Sequence, residues 1–172
     1  MSVGRMREGD LSFEFSGAQG VKNLDKEGIT KPHGMAFVDF VIKEDERFLL
    51  VEVKDPSSEQ IPEGHRGQVR AREIKKFQTK ELINELVSKA RDSYCFLHLM
   101  KRDGKPFDFI FLTGLDRLGI TKELLMNFGD RLLARLRKEA DKEWKRQYIR
   151  NCAVHTLESW NAHLDPYRVE RV

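Results

Sequence analysis

Asp39, Glu52 and Lys54 form the most specific chemical pattern in this sequence. Asp39 interrupts the apolar run Phe37-Val38-Asp39-Phe40-Val41-Ile42, and Glu52 and Lys54 interrupt Leu49-Leu50-Val51-Glu52-Val53-Lys54. Both runs are rich in β-branched and aromatic residues and flank the charged triplet Glu44-Asp45-Glu46, so they read as two strands, 36–43 and 47–54, joined by a turn. Alternation puts Glu52 and Lys54 on one face. An even turn centred between Asp45 and Glu46 makes the numbers of paired residues sum to 91, which sets Asp39 opposite Glu52 and Phe37 opposite Lys54. Side chains opposed in this way share a face, with Cβ atoms about 4.5–5.5 Å apart. The other face then carries Val38, Phe40 and Ile42 against Val53, Val51 and Leu49, a wholly apolar surface that belongs in a core.

Two carboxylates this close in a partly dry site repel, and one is pushed toward protonation unless a cation intervenes. Oxygen ligands without His or Cys suit Mg²⁺ or Mn²⁺. A neighbouring ammonium, Lys54, can orient a water or offset charge building up on a phosphorane-like centre. The chemistry these residues point to is metal-assisted phosphodiester hydrolysis. Glu-x-Lys alone means little, because it also occurs at Glu73–Lys75 and Glu143–Lys145, but only Glu52–Lys54 lies in an apolar strand facing an Asp. An ion pair on an open sheet face is the competing reading. Phe37, Val41, Phe48 and Leu50 on that same face predict that it is covered, and buried charge needs a partner or a purpose.

Asp39, twelve intervening residues, then Glu52-Val53-Lys54 resembles the PD-(D/E)XK phosphodiesterase superfamily. The resemblance spans about residues 36–113. It implies a restriction-endonuclease-like core, a mixed central β-sheet flanked by helices. It also implies metal held by Asp39, Glu52 and the backbone carbonyl of Val53, and Lys54 at the attacking water. The helix after the motif often adds a polar residue, for which Lys89 is the candidate. Val38 stands where the family often has Pro. The short stretch before Asp39 leaves little room for the N-terminal helix that often supplies another acid; Glu14 is the candidate read in its place.

The elements that must position this motif follow from periodicity and turn signals. Residues 1–35 are glycine-rich, with an alternating run at 11–15. Residues 55–68 are dense in Pro, Gly and Ser and read as a loop. A helix is expected over 79–92, capped by Thr79, with Leu82, Ile83, Leu86, Val87 and Ala90 as its apolar stripe. Strands are expected over 94–100 and 107–113, helical structure over 121–145 with a possible break at Gly129-Asp130, and a last strand over 148–156. The sum is a mixed α/β protein, one domain over 1–172, with a motif core at about 36–113 and a helical C-terminal part at about 119–172.

Lys and Arg number 31 and Asp and Glu 28, a net charge of +3 that conceals segregation. Segment 64–80 carries six basic residues and one acid, and segment 131–150 eight and three, so each is +5. Arg66, Arg70, Arg72, Lys75 and Lys76, together with Lys89, are the candidate phosphate contacts, with DNA favoured over RNA. For 131–150 a solvated face, with Glu139, Asp141 and Glu143 paired to neighbouring cations, weighs equally. No apolar run reaches a membrane span and the N-terminus lacks a secretory apolar core. Cys95 and Cys152 have strand-like settings and form no CxxC, and the five histidines show no metal-ligand spacing. Gly64-His65-Arg66-Gly67 and Gly17-Ala18-Gln19-Gly20 fall short of phosphate-binding loops.

The expectation is a Mg²⁺- or Mn²⁺-dependent nuclease in a cytoplasmic setting, with a homodimer or a targeting protein as possible partners. The alternative is a catalytically silent nuclease-like module that binds nucleic acid or a protein, as in a defence or mobile-element system.

Overall fold

The computed structural model describes residues 5–26, 30–57, 62–116 and 118–172. Its elements in chain order are β1 (Met6–Glu8), β2 (Leu11–Glu14), β3 (Gly20–Asn23), β4 (Phe40–Lys43), β5 (Phe48–Lys54), a 3₁₀ turn (Glu63–His65), α1 (Arg66–Gln78), α2 (Glu81–Leu99), β6 (Phe107–Thr113), α3 (Lys122–Leu136), β7 (Lys138–Glu139), β8 (Lys142–Glu143), β9 (Asn151–His155), α4 (Leu157–His163) and β10 (Arg168–Arg171). The fold is mixed α/β. A five-stranded mixed sheet runs β3-β4-β5-β6-β9, antiparallel through β5 and parallel from β5 to β9. Among the described residues no helix is long and apolar enough to cross a membrane.

β5 and β6 are central, and their sequences FLLVEVK and FDFIFLT are nearly continuous apolar runs, as strands covered on both faces must be. On one face Val41, Leu50, Phe109 and Phe111 pack under α1, α2 and α3 through Phe77, Leu86, Ala90 and Phe128. On the other, Phe40, Ile42, Leu49, Val51 and Ile110 meet Leu11, Phe13 and Val169 of the three-stranded sheet β1-β2-β10, with Trp160 of α4. The β4–β5 register is the one the hairpin turn implies, with Phe40 opposite Val51 and Ile42 opposite Leu49.

Four expectations change. Residues 94–100 are not a strand but mostly the last turns of α2. The buried positions Leu86, Ala90, Ser93 and Leu97 continue the stripe at three- and four-residue spacing, and that period outweighs the local β propensity of Tyr94-Cys95-Phe96. Cys95 and His98 are therefore helical. Thr79 is the C-cap of α1, its hydroxyl donating to the Lys76 carbonyl, and α2 starts without a side-chain cap. The expected loop 55–68 ends in helix, since α1 begins at Arg66; residues 58–61 of that loop lie outside the described residues. α3 passes through Gly129-Asp130 unbroken and then gives way to the hairpin β7–β8. A Cβ on Gly129 would stand 3.4 Å from Val154 Cγ2, so this glycine serves close helix–sheet packing instead of a break.

Helix α2 closes with the Arg102 amide donating to the Leu97 carbonyl and the Lys101 amide to the His98 carbonyl, while Lys101 takes a left-handed φ of 55°. This double bond pattern normally carries glycine at the left-handed position, and a lysine there costs on the order of 1 kcal/mol.

Ion pairs pin both ends of the central strands. Asp108, 2% exposed, accepts from Arg47 Nη1 at 2.9 Å and from Arg150 Nη2 at 2.8 Å. At the opposite end Arg171 of β10 donates to Asp55 at 2.6 Å and to Asp116 at 2.7 Å. Asp55 presses on Gly114, whose amide bonds the Lys54 carbonyl; a Cβ there would lie 2.2 Å from Asp55 Oδ1. Gly114→Ala is expected to destabilise the fold by about 1–3 kcal/mol in urea denaturation, because the Asp55–Arg171 clamp must give way. An unchanged unfolding midpoint would show that the clamp holds nothing.

Candidate active site

The site lies where β4 stops. Its ladder to β5 ends at Phe40–Val51, and the next residues toward the N-terminus turn to α2. The Val38 amide donates to Ser93 Oγ at 3.0 Å and the Ala36 amide to Asp92 Oδ2 at 3.1 Å. Val38 accordingly joins the α2-side core and leaves the apolar face expected for it. On β5 the carbonyl of Lys54 accepts from Gly114 beyond β6, so even-numbered residues bond toward β6 and odd-numbered ones, Val53 included, toward β4. With β4 gone at this point, the Val53 amide is taken by Asp39 Oδ2 at 2.7 Å, and the Val53 carbonyl loses the ladder donor that Val38 would have supplied. An Asp in place of one ladder rung thus turns a strand end into a carboxylate beside a released carbonyl.

Asp39 and Glu52 sit together, 6% and 1% exposed. Helix α2 lays two residues over them at one-turn spacing. Lys89 Nζ donates to Glu52 Oε1 at 2.6 Å, and Glu85 Oε1 accepts from Lys54 Nζ at 2.7 Å, leaving Lys54 3.8 Å from Glu52. The expected cover of this face is therefore present. The second oxygen of Glu52, Oε2, is buried without a hydrogen-bond partner among the described residues.

The electrostatics follow. Burial, and next the charge of Asp39, push the Glu52 carboxyl up to about 7 in spite of Lys89 and Lys54. Burial also raises Asp39, against the Val53 amide and both lysines. Lys89 is raised, the pull of Glu52 and Asp39 outweighing its own burial. A further carboxyl, half-buried Glu8 of β1, is raised by burial and by Asp39. Glu14, the candidate read from the sequence, is exposed and accepts from Ser16 at 3.3 Å, and Glu8 is the carboxyl electrostatically coupled to Asp39. A three-residue edge strand followed by a Gly-Asp turn is too short to show alternation, so only the tertiary packing reveals Glu8.

The oxygen donors Asp39, Glu52 and the Val53 carbonyl, with one carboxylate oxygen unpaired, fit a hard divalent cation. Among the described residues no three His, Cys, Asp or Glu side chains converge as a metal cluster, so water would complete the shell, as Mg²⁺ prefers.

The candidate phosphate contacts divide. Arg66, Arg70, Arg72, Lys75 and Lys76 all stand on α1, directly after the motif strand in the chain. Arg72 and Lys75 are exposed, Lys76 pairs with buried Glu73 at 2.8 Å, and Arg70 reaches the Gly119 carbonyl at 3.4 Å. Lys89 belongs to the carboxylate site itself. The second basic stretch is largely structural: Arg131 donates to the Phe77 and Thr79 carbonyls at the end of α1, Arg135 and Arg137 bond carbonyls, and Arg150 holds Asp108. Glu139 and Glu143 face Lys142 and Lys138 across the β7–β8 pair.

Comparison with protein families, curated proteins and solved structures finds no match in any of the three.

A carboxyl raised from 4.5 to about 7 stabilises the fold fully below pH 4.5, and this contribution is lost as the pH rises through 7. The wild type is therefore expected to lose about 3 kcal/mol between pH 4.5 and 8 in metal-free buffer, and Glu52→Gln to lose much less. Urea unfolding at pH 5 and pH 8 reads both; a wild type that gains stability toward pH 8 would refute this account of Glu52.

Proposed function

We propose that this chain is a metal-dependent phosphodiesterase of the PD-(D/E)XK type, with a restriction-endonuclease-like core, acting on nucleic acid and most readily on DNA. The observation that carries the reading is the orphaned Glu52 Oε2, buried beside Asp39 at the point where the Val53 carbonyl leaves its ladder. Three further features support it. Asp39 directly precedes β4, which pairs antiparallel with the strand carrying Glu-x-Lys, the next strand is parallel, and helices cover the carboxylate face.

Asp39, Glu52 and the Val53 carbonyl would hold Mg²⁺ or Mn²⁺, which supplies Lewis-acid stabilisation of a phosphate and a more acidic water. The chain's own residues do the rest. Lys54, oriented by Glu85, places its ammonium beside the carboxylates, where it can hold a water for attack on phosphorus or offset charge on the phosphate oxygens. Attack forms one P–O bond and breaks the ester P–O bond; the attacking water releases a proton to solvent and the departing alkoxide takes one up from it. Lys89 neutralises Glu52, so the metal-free site need not bury two bare carboxylates. Exposed Arg72 and Lys75 of α1 offer phosphate contacts to the strand around the scissile bond.

Incubation of DNA and RNA with the protein and Mn²⁺ or Mg²⁺ is expected to give divalent-dependent cleavage, stronger on DNA. Asp39→Ala and Lys54→Met are each expected to lower the rate by about a hundredfold or more. Mn²⁺ is expected to raise the melting temperature of wild type but not of Asp39→Ala. Equal cleavage by wild type and Asp39→Ala would sink the assignment. Salt-dependent duplex binding with neither cleavage nor Mn²⁺ stabilisation would instead identify a silent binding module.

A further inference from the structure

At the other end of the β4–β5 hairpin the chain builds a second cleft, of about 540 Å³. Phe48 and Lys54 are six residues apart on β5, so the two sites are separated by about 20 Å. The register explains the lining. Gly20 pairs with Lys43, Lys22 with Val41, and Lys43 with Phe48, so these residues share the face covered by α2. Helix α2 ends at Leu99, and the chain that follows it walls the cleft through Lys101, Arg102, Gly104 and Lys105.

Among the described residues five cations and no carboxylate line it: Lys22, Lys43, Lys101, Arg102 and Lys105. Neighbouring acids have other partners: Glu44 holds Arg47 at 2.5 Å and Tyr167 at 2.9 Å, Asp103 holds His98 at 2.5 Å, and Asp45 accepts from Gln19, which in turn accepts from Lys105 at 3.3 Å. Lys105 is fixed by the Glu44 carbonyl at 2.7 Å, while Lys22, Lys43, Lys101 and Arg102 are exposed. The floor is apolar, formed by Val41, Phe48 and Leu97, with the Phe48 ring backed by Phe107 at 5.0 Å and 20°. A helix C-terminus favours a nearby cation, which accounts for Lys101 or Arg102 but not for the three lysines on strands and loop. Lys101 moreover occupies the left-handed closing position of α2, where glycine fits without strain. A charge kept at a strained position beside four other cations points to a ligand.

We propose that this cleft binds a nucleotide phosphate, either a free nucleotide or the 5′-phosphorylated end of a strand, with the phosphate on the lysines and the base over Phe48. A multiply charged anion answers five cations, a flat body of partial apolar character answers the floor, and the volume is that of a small-ligand pocket. The proposal stands apart from the carboxylate site.

The test is calorimetric titration of the full chain in EDTA with ATP, adenosine, inorganic triphosphate, and one oligonucleotide with either a 5′-phosphate or a 5′-hydroxyl. ATP or the phosphorylated oligonucleotide is expected to bind about tenfold or more tightly than its unphosphorylated counterpart. The tighter of the two names the source. Lys43→Ala and Lys101→Gly are each expected to weaken that binding about tenfold, while Lys101→Gly raises the melting temperature of the free protein. Lys22→Ala serves as a second lining variant. Adenosine binding as well as ATP, inorganic triphosphate matching ATP, or lining variants that bind as wild type would each overturn the proposal.

Discussion

Two carboxylates buried side by side have to be neutralised, and much of the α2 side of this molecule is arranged around that requirement. Asp39 and Glu52 are nearly inaccessible and face each other at a strand end. Burial without countercharge would cost several kcal/mol per ion. Helix α2 meets the requirement by bringing Lys89 to Glu52 and Glu85 to Lys54 one turn apart, on a stripe whose other residues form the core. The compensation is incomplete, since one Glu52 oxygen stays unpaired and its carboxyl titrates at about 7. A site this close to balance is where we propose that a divalent cation binds.

Rigidity around it comes from ion pairs at the two ends of the parallel strands. Asp108 gathers Arg47 and Arg150 at one end, and Arg171 gathers Asp55 and Asp116 at the other. The second clamp is immediately beyond Lys54 and ties the C-terminal strand to the motif strand. Cations that read in the chain as a possible phosphate surface are thereby spent on the fold: Arg131 closes the end of α1 and Arg150, itself exposed, is held by buried Asp108.

The β4–β5 register was legible because turn parity and a face of uninterrupted apolar residues agree on a single pairing. Phe107–Thr113 was legible too, as an apolar run between turn signals. Residues 94–100 were not, since six apolar and aromatic residues and a histidine suit either structure locally; only the stripe from Leu86 to Leu97, which needs a sheet to lie on, decides for helix. Glu8 escaped for a similar reason. Nothing within its three-residue strand marks it, and its carboxyl is brought near Asp39 by pairing of β1 with β2 and stacking of that sheet on the other.

The sequence by itself determined the mixed α/β class, the hairpin that opposes Asp39 to Glu52, and the apolar stripe of the helix that covers them. These depend on periods of two and 3.6 residues and on one short turn, which are local properties of the chain. The tertiary structure alone decided that β4 stops at Phe40 so that Asp39 replaces a ladder rung, that Lys89 and not Lys54 holds Glu52, and that the basic residues divide among α1, structural carbonyls and the cleft beyond α2. Each of those is a contact between segments far apart in the chain, fixed by how whole elements pack, and no local pattern encodes which of several available lysines or carbonyls the packing brings within reach.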